Sequence, residues 1–259
     1  MRAIVRKLLF LWAGLLVSPI FHSANAAAPA CQEKSFEGNR YVLCTVDPQK
    51  DDLRLFWKNS DGEPFRRFPR LARTIADSGK SLVFALNAGM YHTDFSPLGL
   101  YVEDGEELQP ANIAPYSGKD RPVPNFYKNP NGVFYVDKEK AGIVATKNFL
   151  KSGIKPLYAT QSGPMLVIDN KLNPILIKGS KERTRRSGVG VCTEGKISFA
   201  ISTDNMNFYD FARLFKDELR CPNALFLDGG GGAGFYSPDL KRSDFSWHGG
   251  YGPFFGLIK

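Results

Sequence analysis

Histidine is scarce in this chain, three in 259 residues, and the four cysteines never fall as C-x-x-C or beside a histidine. That poverty argues against a zinc site of the usual ligand spacing, and no metal or cofactor is expected. After residue 21 no apolar run approaches the roughly 20 residues that a bilayer core requires. No G-x-S-x-G elbow is present, which sets a serine hydrolase aside. Asp204, Asn205 and Asn207 offer oxygen ligands without a complete calcium-loop pattern. No long basic stripe with interleaved aromatics points to nucleic acid. Neither a fixed-period repeat nor a low-complexity tract breaks the chain, so one compact domain is expected.

What is present begins with a leader. Arg2, Arg6 and Lys7 precede an apolar run from Leu8 to Val17, and small residues end in Ala24-Asn25-Ala26. Residues 1–26 therefore read as a signal peptide, which implies a periplasmic or secreted protein with no stable membrane insertion after cleavage. The formal charge is +8; losing three basic residues and no acidic one would leave +5, a mild bias toward acidic partners. In an oxidising compartment Cys31, Cys44, Cys192 and Cys221 suggest two disulfides, with three possible connectivities. Pairing Cys31 with Cys44 would close an N-terminal hairpin, and Cys192 with Cys221 would tie a strand to the loop after a helix.

Short β-like runs dominate: Tyr41 to Thr45, Leu53 to Trp57, Leu82 to Asn87, Gly99 to Glu103, Gly132 to Val136, Met165 to Ile168, Val189 to Cys192, Ile197 to Ser202 and Ala224 to Leu227. Turn-forming Gly, Pro, Asn and Asp separate them. Helical periodicity marks Phe68 to Ser78, stopped by Gly79, and Asn207 to Leu219, whose apolar stripe includes Phe208, Phe211, Leu214 and Phe215. The expectation is an α+β single domain with mixed, strand-rich sheets and a few packed helices. Residues 27–80 would supply its N-terminal strands and helix.

The most marked segment is Leu227-Asp228-Gly229-Gly230-Gly231-Gly232-Ala233-Gly234. Its spacing fits G-x-G-x-x-G, yet Phe235-Tyr236-Ser237-Pro238 follows where a dinucleotide site needs a helix, and too little chain remains for the ribose-binding acid. What survives is a glycine corner whose N–H groups can approach an anion, with Asp228 at its rim; a simple capped turn explains the same residues. Polar groups also follow a strand end at Asn87-Ala88-Gly89-Met90-Tyr91-His92, and three hydrogen-bonding side chains precede a Gly-Pro turn in Thr160-Gln161-Ser162-Gly163-Pro164. Asn131-Gly132 reads as a turn into a strand, and the basic run ending in Arg186 enters Ser187-Gly188-Val189-Gly190.

Taken in order, Asn87-Ala88-Gly89-Met90, Ser96-Pro97-Leu98-Gly99-Leu100, Asn129-Pro130-Asn131-Gly132-Val133, Thr160-Gln161-Ser162-Gly163-Pro164, Arg186-Ser187-Gly188-Val189-Gly190 and Leu227-Asp228-Gly229-Gly230 resemble the phosphodiester glycosidase family. The similarity runs from Ser81 to Lys259, so residues 81–259 would form a catalytic domain of that kind. The resemblance implies an active site of Asn87, Arg186 and Asp228, walled by Gly229 and Gly230. It implies a lining of Thr160, Gln161, Ser162, Asn131 and His92. Family members carry serine or threonine after the glycines, where this chain has Gly232-Ala233, and bacterial relatives often have asparagine at Ser187.

The implied reaction is hydrolysis of a sugar-1-phosphodiester at the anomeric C–O bond. Phosphate leaves readily, so charge stabilisation, assigned to Arg186, matters more than a strong acid. Asp228 would position the sugar or activate water and Asn87 would orient hydroxyls. A second carboxylate is open, with Asp94 and Asp204 as candidates. The alternative is a non-catalytic envelope protein that binds a glycan or phosphate-bearing polymer; on either reading the partner is a sugar phosphate or glycan and not nucleic acid.

Overall fold

The computed structural model describes residues 30–119, 122–138 and 140–259. The expected signal peptide, residues 1–26, lies outside them. The first third of the chain supplies β1 (Cys31–Phe36), β2 (Asn39–Val46), β3 (Asp52–Phe56), α1 (Phe68–Asp77), β4 (Leu82–Asn87), β5 (Tyr101–Glu103) and β6 (Glu106–Gln109). Next come β7 (Gly132–Val136), β8 (Ala141–Ala145), α2 (Thr146–Ser152), β9 (Tyr158–Ser162), β10 (Met165–Ile168) and β11 (Lys171–Leu172). The last part holds β12 (Arg186–Val191), β13 (Ile197–Ser202), α3 (Phe208–Arg213), β14 (Asn223–Gly229), β15 (Phe235–Ser237), β16 (Arg242–Ser243) and β17 (Phe254–Ile258).

These strands make three sheets: β1-β2-β13-β12-β14-β10-β11, β16-β15-β4-β17-β3 and β6-β5-β9-β7-β8. The α+β expectation holds, but the sheets are not mixed: all pairings among the described strands are antiparallel. One apolar core is shared by all three sheets, with Phe84, Phe134, Val189, Phe199, Leu225, Leu227 and Phe255 meeting in it. Strands such as β7, β13 and β17 are buried on both faces, which accounts for their unbroken apolar runs.

Each sheet keeps its outer face dry with one helix. Phe211 and Phe215 cover the seven-stranded sheet over Phe226 and Leu166. Phe68, Leu71 and Ile75 of α1 cover the β4–β17 sheet, and Phe149 of α2 covers Val133 and Tyr135. The helical stripe read over Asn207 to Leu219 is α3 followed by a π turn, Leu214–Glu218, with the Asn207 side chain capping the N–H of Asp210 at 2.9 Å.

Both disulfides form, Cys31 with Cys44 across the β1–β2 hairpin and Cys192 with Cys221 between the ends of neighbouring strands. Two such bridges fit an oxidising compartment. Among the described residues no helix is long and apolar enough to cross a membrane.

For function the decisive connection is the one after β14. That strand lies inside the seven-stranded sheet, whereas β15, separated from Gly229 by only five residues, pairs with β4 in another sheet. The glycine run is the corner by which the backbone crosses between sheets, and its last glycine, Gly234, is bonded to Asn87 at the end of β4.

Candidate active site

The buried run Ala224, Leu225, Phe226 and Leu227 carries the chain to Asp228 at the end of its strand. Opposite stands Ser187, whose Oγ accepts from the Asp228 N–H at 3.2 Å and donates to the Asp228 carbonyl at 3.1 Å. The ladder bulges here, between Ser187 and Gly188, as expected where a strand re-aims a side chain. Gly229 donates its N–H to Asp228 Oδ1 at 2.7 Å. The chain then takes a 3-10 turn over Gly230–Gly232, entered through a left-handed Gly230 with φ of 58°.

Two of these glycines make room for side chains. A Cβ on Gly232 would collide with Asp228 Oδ2, and one on Gly231 would stand 2.6 Å from His248 Nε2. The carboxylate and the imidazole thus fold onto the turn from neighbouring positions. Asp228 is enclosed but retains some exposure; burial pushes its carboxyl up to about 7, against the opposing Gly229 hydrogen bond. Tyr91 lies within reach of that charge: burial first and Asp228 second raise its phenol well above the ordinary value. Its hydroxyl donates to Gly250 O at 3.2 Å.

Asn87 ends β4 fully buried. Its Oδ1 accepts the Gly234 N–H at 3.1 Å, locking the far side of the corner, while Nδ2 has no hydrogen-bond partner among the described residues. A buried donor left unsatisfied by the fold calls for an explanation, and one facing an oxygen-rich ligand has one.

Arg186 is also fully buried, on the strand beside Asp228, but its guanidinium turns elsewhere. Nε donates to Met206 O at 2.8 Å, Nη2 to Glu182 O at 3.3 Å, and the plane stacks 3.6 Å above the Phe208 ring. Nη1 is unpartnered, and burial lowers the group to about 10 against a smaller opposing pull from Glu182. No ion pair joins it to Asp228 among the described residues; its carboxylate neighbour is Glu182 at 3.9 Å. Beside it Lys128, Ser180, Glu182 and Phe208 line a cavity of about 480 Å³. The guanidinium that lies against the glycine corner is that of Arg185, which donates to Ala233 O and, at 2.9 Å, to Asp244.

The three polar residues of β9 are buried and bonded to backbone. Thr160 Oγ1 donates to Ala88 O at 2.6 Å and Ser162 Oγ to Leu227 O at 2.9 Å, bracing the residues adjoining Asn87 and Asp228. Gln161 accepts from the N–H groups of Leu100 and Asn112 and donates to Asn112 O at 2.7 Å. Asn131 donates to Phe126 O at 3.2 Å and lines a separate cavity of about 810 Å³. His92 is exposed in a tight turn closed by its own N–H to Ser96 O. Asp94 caps that turn through Ser96, and Asp204 is held by Arg40 at 2.7 Å on the surface, so neither is paired with Asp228.

His248, Tyr91 and Tyr251 are the neighbours that sequence reasoning did not assign to the site. Tyr251 packs its ring on Gly234, and burial pushes its phenol up to about 12. A signal existed for all three, since each lies beside glycine or aromatic residues, but pairing His248 with the glycine corner needs the fold.

Asp228 and the Asn87 amide thus stand at the two sides of a glycine crossover between sheets, on a strand-rich scaffold. Residues 80–249 match the phosphodiester glycosidase family, and the chain belongs to it. Protein YigE of Escherichia coli (strain K12) is 36% identical over 185 residues, 71% of this chain and 70% of its own length. Among solved structures, the zebrafish N-acetylglucosamine-1-phosphodiester alpha-N-acetylglucosaminidase catalytic domain, auto-inhibited by its pro-peptide, superposes with a TM-score of 0.59 at 16% identity, over 88% of this chain and 81% of that one. A Synechocystis protein follows the same fold with a TM-score of 0.53 at 15% identity, over 88% of this chain and 61% of its own.

Proposed function

We propose that this protein hydrolyses a sugar-1-phosphodiester, breaking the bond between the anomeric carbon and the phosphate oxygen. The observation that carries the reading is Asp228, held at one side of the glycine crossover with its carboxyl pushed up to about 7, while Asn87, its amide nitrogen unpartnered, holds Gly234 at the other side. An acid titrating near neutrality suits proton transfer at physiological pH. As a carboxylate it takes a proton from water as the water oxygen bonds to the anomeric carbon. The electrons of the breaking C–O bond pass to the phosphate oxygen, giving free sugar and a phosphomonoester.

Asn87 Nδ2 is the donor for a sugar hydroxyl or phosphate oxygen; the Gly229 and Gly230 N–H groups are engaged by Asp228 Oδ1 and Arg185 O, so these glycines act as a wall and not as donors. Arg186 is occupied by Met206 O, Glu182 O and the Phe208 ring, so no direct contact with the phosphate is assigned to it, and Ser187 fixes the Asp228 backbone. Thr160 and Ser162 act by positioning the two strand ends, and Gln161 by holding Leu100 and Asn112. The proposed setting is the periplasm or the exterior, after removal of residues 1–26.

A panel of synthetic sugar-1-phosphodiesters, assayed with and without chelator, tests the reading. Free sugar and phosphomonoester are expected from the native protein, and none from Asp228→Asn with folding intact. Full turnover by Asp228→Asn overturns the role given to Asp228; saturable binding without turnover by the native protein overturns the reaction.

A further inference from the structure

A second feature adjoins the site. Arg66, Arg67, Arg70 and Arg73, on and before α1, line a cleft of about 550 Å³ with Phe245 and Tyr251 on its other side. All four arginines are exposed. Arg70 pairs with Glu63 at 3.0 Å, whereas Arg66, Arg67 and Arg73 make no ion pair among the described residues. The acid in the cleft wall, Asp244, is already engaged by Arg185 and Arg242. The cleft therefore presents uncompensated positive charge.

Aromatic surface stands at its mouth. Phe245 is 59% exposed and Trp247 91%, with ring centroids 5.5 Å apart, edge to face. Large rings left this open in a folded protein mark a place of contact. The cleft shares a wall with the candidate site: Tyr251 lines it and packs on Gly234, and His248, next to Trp247 in the chain, packs on Gly231. The wall is built with strain. Arg66 is held left-handed at φ of 62°, its carbonyl accepting the Tyr251 N–H at 2.8 Å, its guanidinium donating to Gly249 O at 2.9 Å.

We propose that this cleft docks the phosphate-bearing strand of a polymeric glycan, so that the substrate is a polymer and not a small sugar phosphate. Arginine forks suit phosphate oxygens, and the exposed rings offer flat faces for sugars. Charge complementarity selects the anionic strand, and the wall shared with the glycine corner places it next to the segment that carries Asp228. Naming a polymer as the substrate rests on the phosphodiester reading above; the docking itself does not.

Titration of the full protein with dextran phosphate and with unmodified dextran separates the two ideas, because binding is read without turnover. Dextran phosphate is expected to bind, with affinity falling as salt rises, and dextran to bind far more weakly. The Arg67→Ala/Arg73→Ala variant and the Trp247→Ala variant should each weaken dextran phosphate by roughly tenfold or more, the loss of one strong contact. These exposed side chains carry no fold-sustaining bond, so melting temperatures within a few degrees, expected of about 0.5 kcal/mol changes, verify folding. Equal binding of dextran, unchanged affinity in both variants, or tighter binding of single-stranded DNA or phosphatidylglycerol vesicles would overturn the proposal. Hydrolysis of small phosphodiesters succeeds or fails independently of all these outcomes.

Discussion

Asp228 sits where its charge is costly, and that cost is visible in stability as well as in chemistry. Its carboxyl is raised to about 7 in the fold, so the folded state holds the proton more tightly than the unfolded chain does. The contribution is complete below the ordinary carboxyl range and is lost as pH rises through 7. Asp228→Asn should thus match the native protein near pH 4 and exceed it above pH 7.5 by about 1–2 kcal/mol, after allowance for partial exposure. Denaturant titrations across that range measure it; parallel curves would contradict the burial argument. Gly232 makes a second test. A Cβ there displaces the carboxylate, so Gly232→Ala should fold and lose about 10²-fold in kcat, the usual scale for an ångström of misplacement. Asp228 and Asn87 could be picked out from the sequence because each ends an apolar run with a polar residue. The direction of the Arg186 side chain could not, since it depends on Met206, Phe208 and Glu182 arriving from elsewhere in the chain.

At the scale of elements, β9 is the brace on which the site depends. Ser162 Oγ satisfies the buried carbonyl of Leu227, and Thr160 Oγ1 that of Ala88. Ser162→Ala should cost about 1–3 kcal/mol by leaving a buried carbonyl unpaired, and it should lower kcat through the neighbouring Asp228. A melting curve and an activity assay on the same sample would show both, and a stability loss with unaltered kcat would confine Ser162 to the fold. Strands buried on both faces were legible as apolar runs, and β4, β7, β10 and β13 begin and end where those runs do. By contrast β9 reads as a polar loop: its hydroxyls and amide look available until the partner carbonyls, contributed by distant strands, are in place. The edge strand β1 is mostly exposed and polar, and so lacks any apolar alternation to betray it.

The described residues form three sheets around one shared core, and the candidate site lies where the chain passes between two of them. That crossover explains why the glycine run is dense and why G-x-G-x-x-G spacing arises there without a dinucleotide site. No helix follows Gly234; the chain enters β15 instead. The order of motifs was enough for the family, while the crossover and the basic cleft beside it emerge only from the pairing of β15 with β4 and the docking of residues 245–251 on Arg66. The central claim is cleavage at the anomeric carbon, and hydrolysis in ¹⁸O-labelled water tests it most directly. Mass spectrometry of the products should find the label in the released sugar and none in the phosphomonoester. Label in the phosphate would mean attack at phosphorus and would contradict the account.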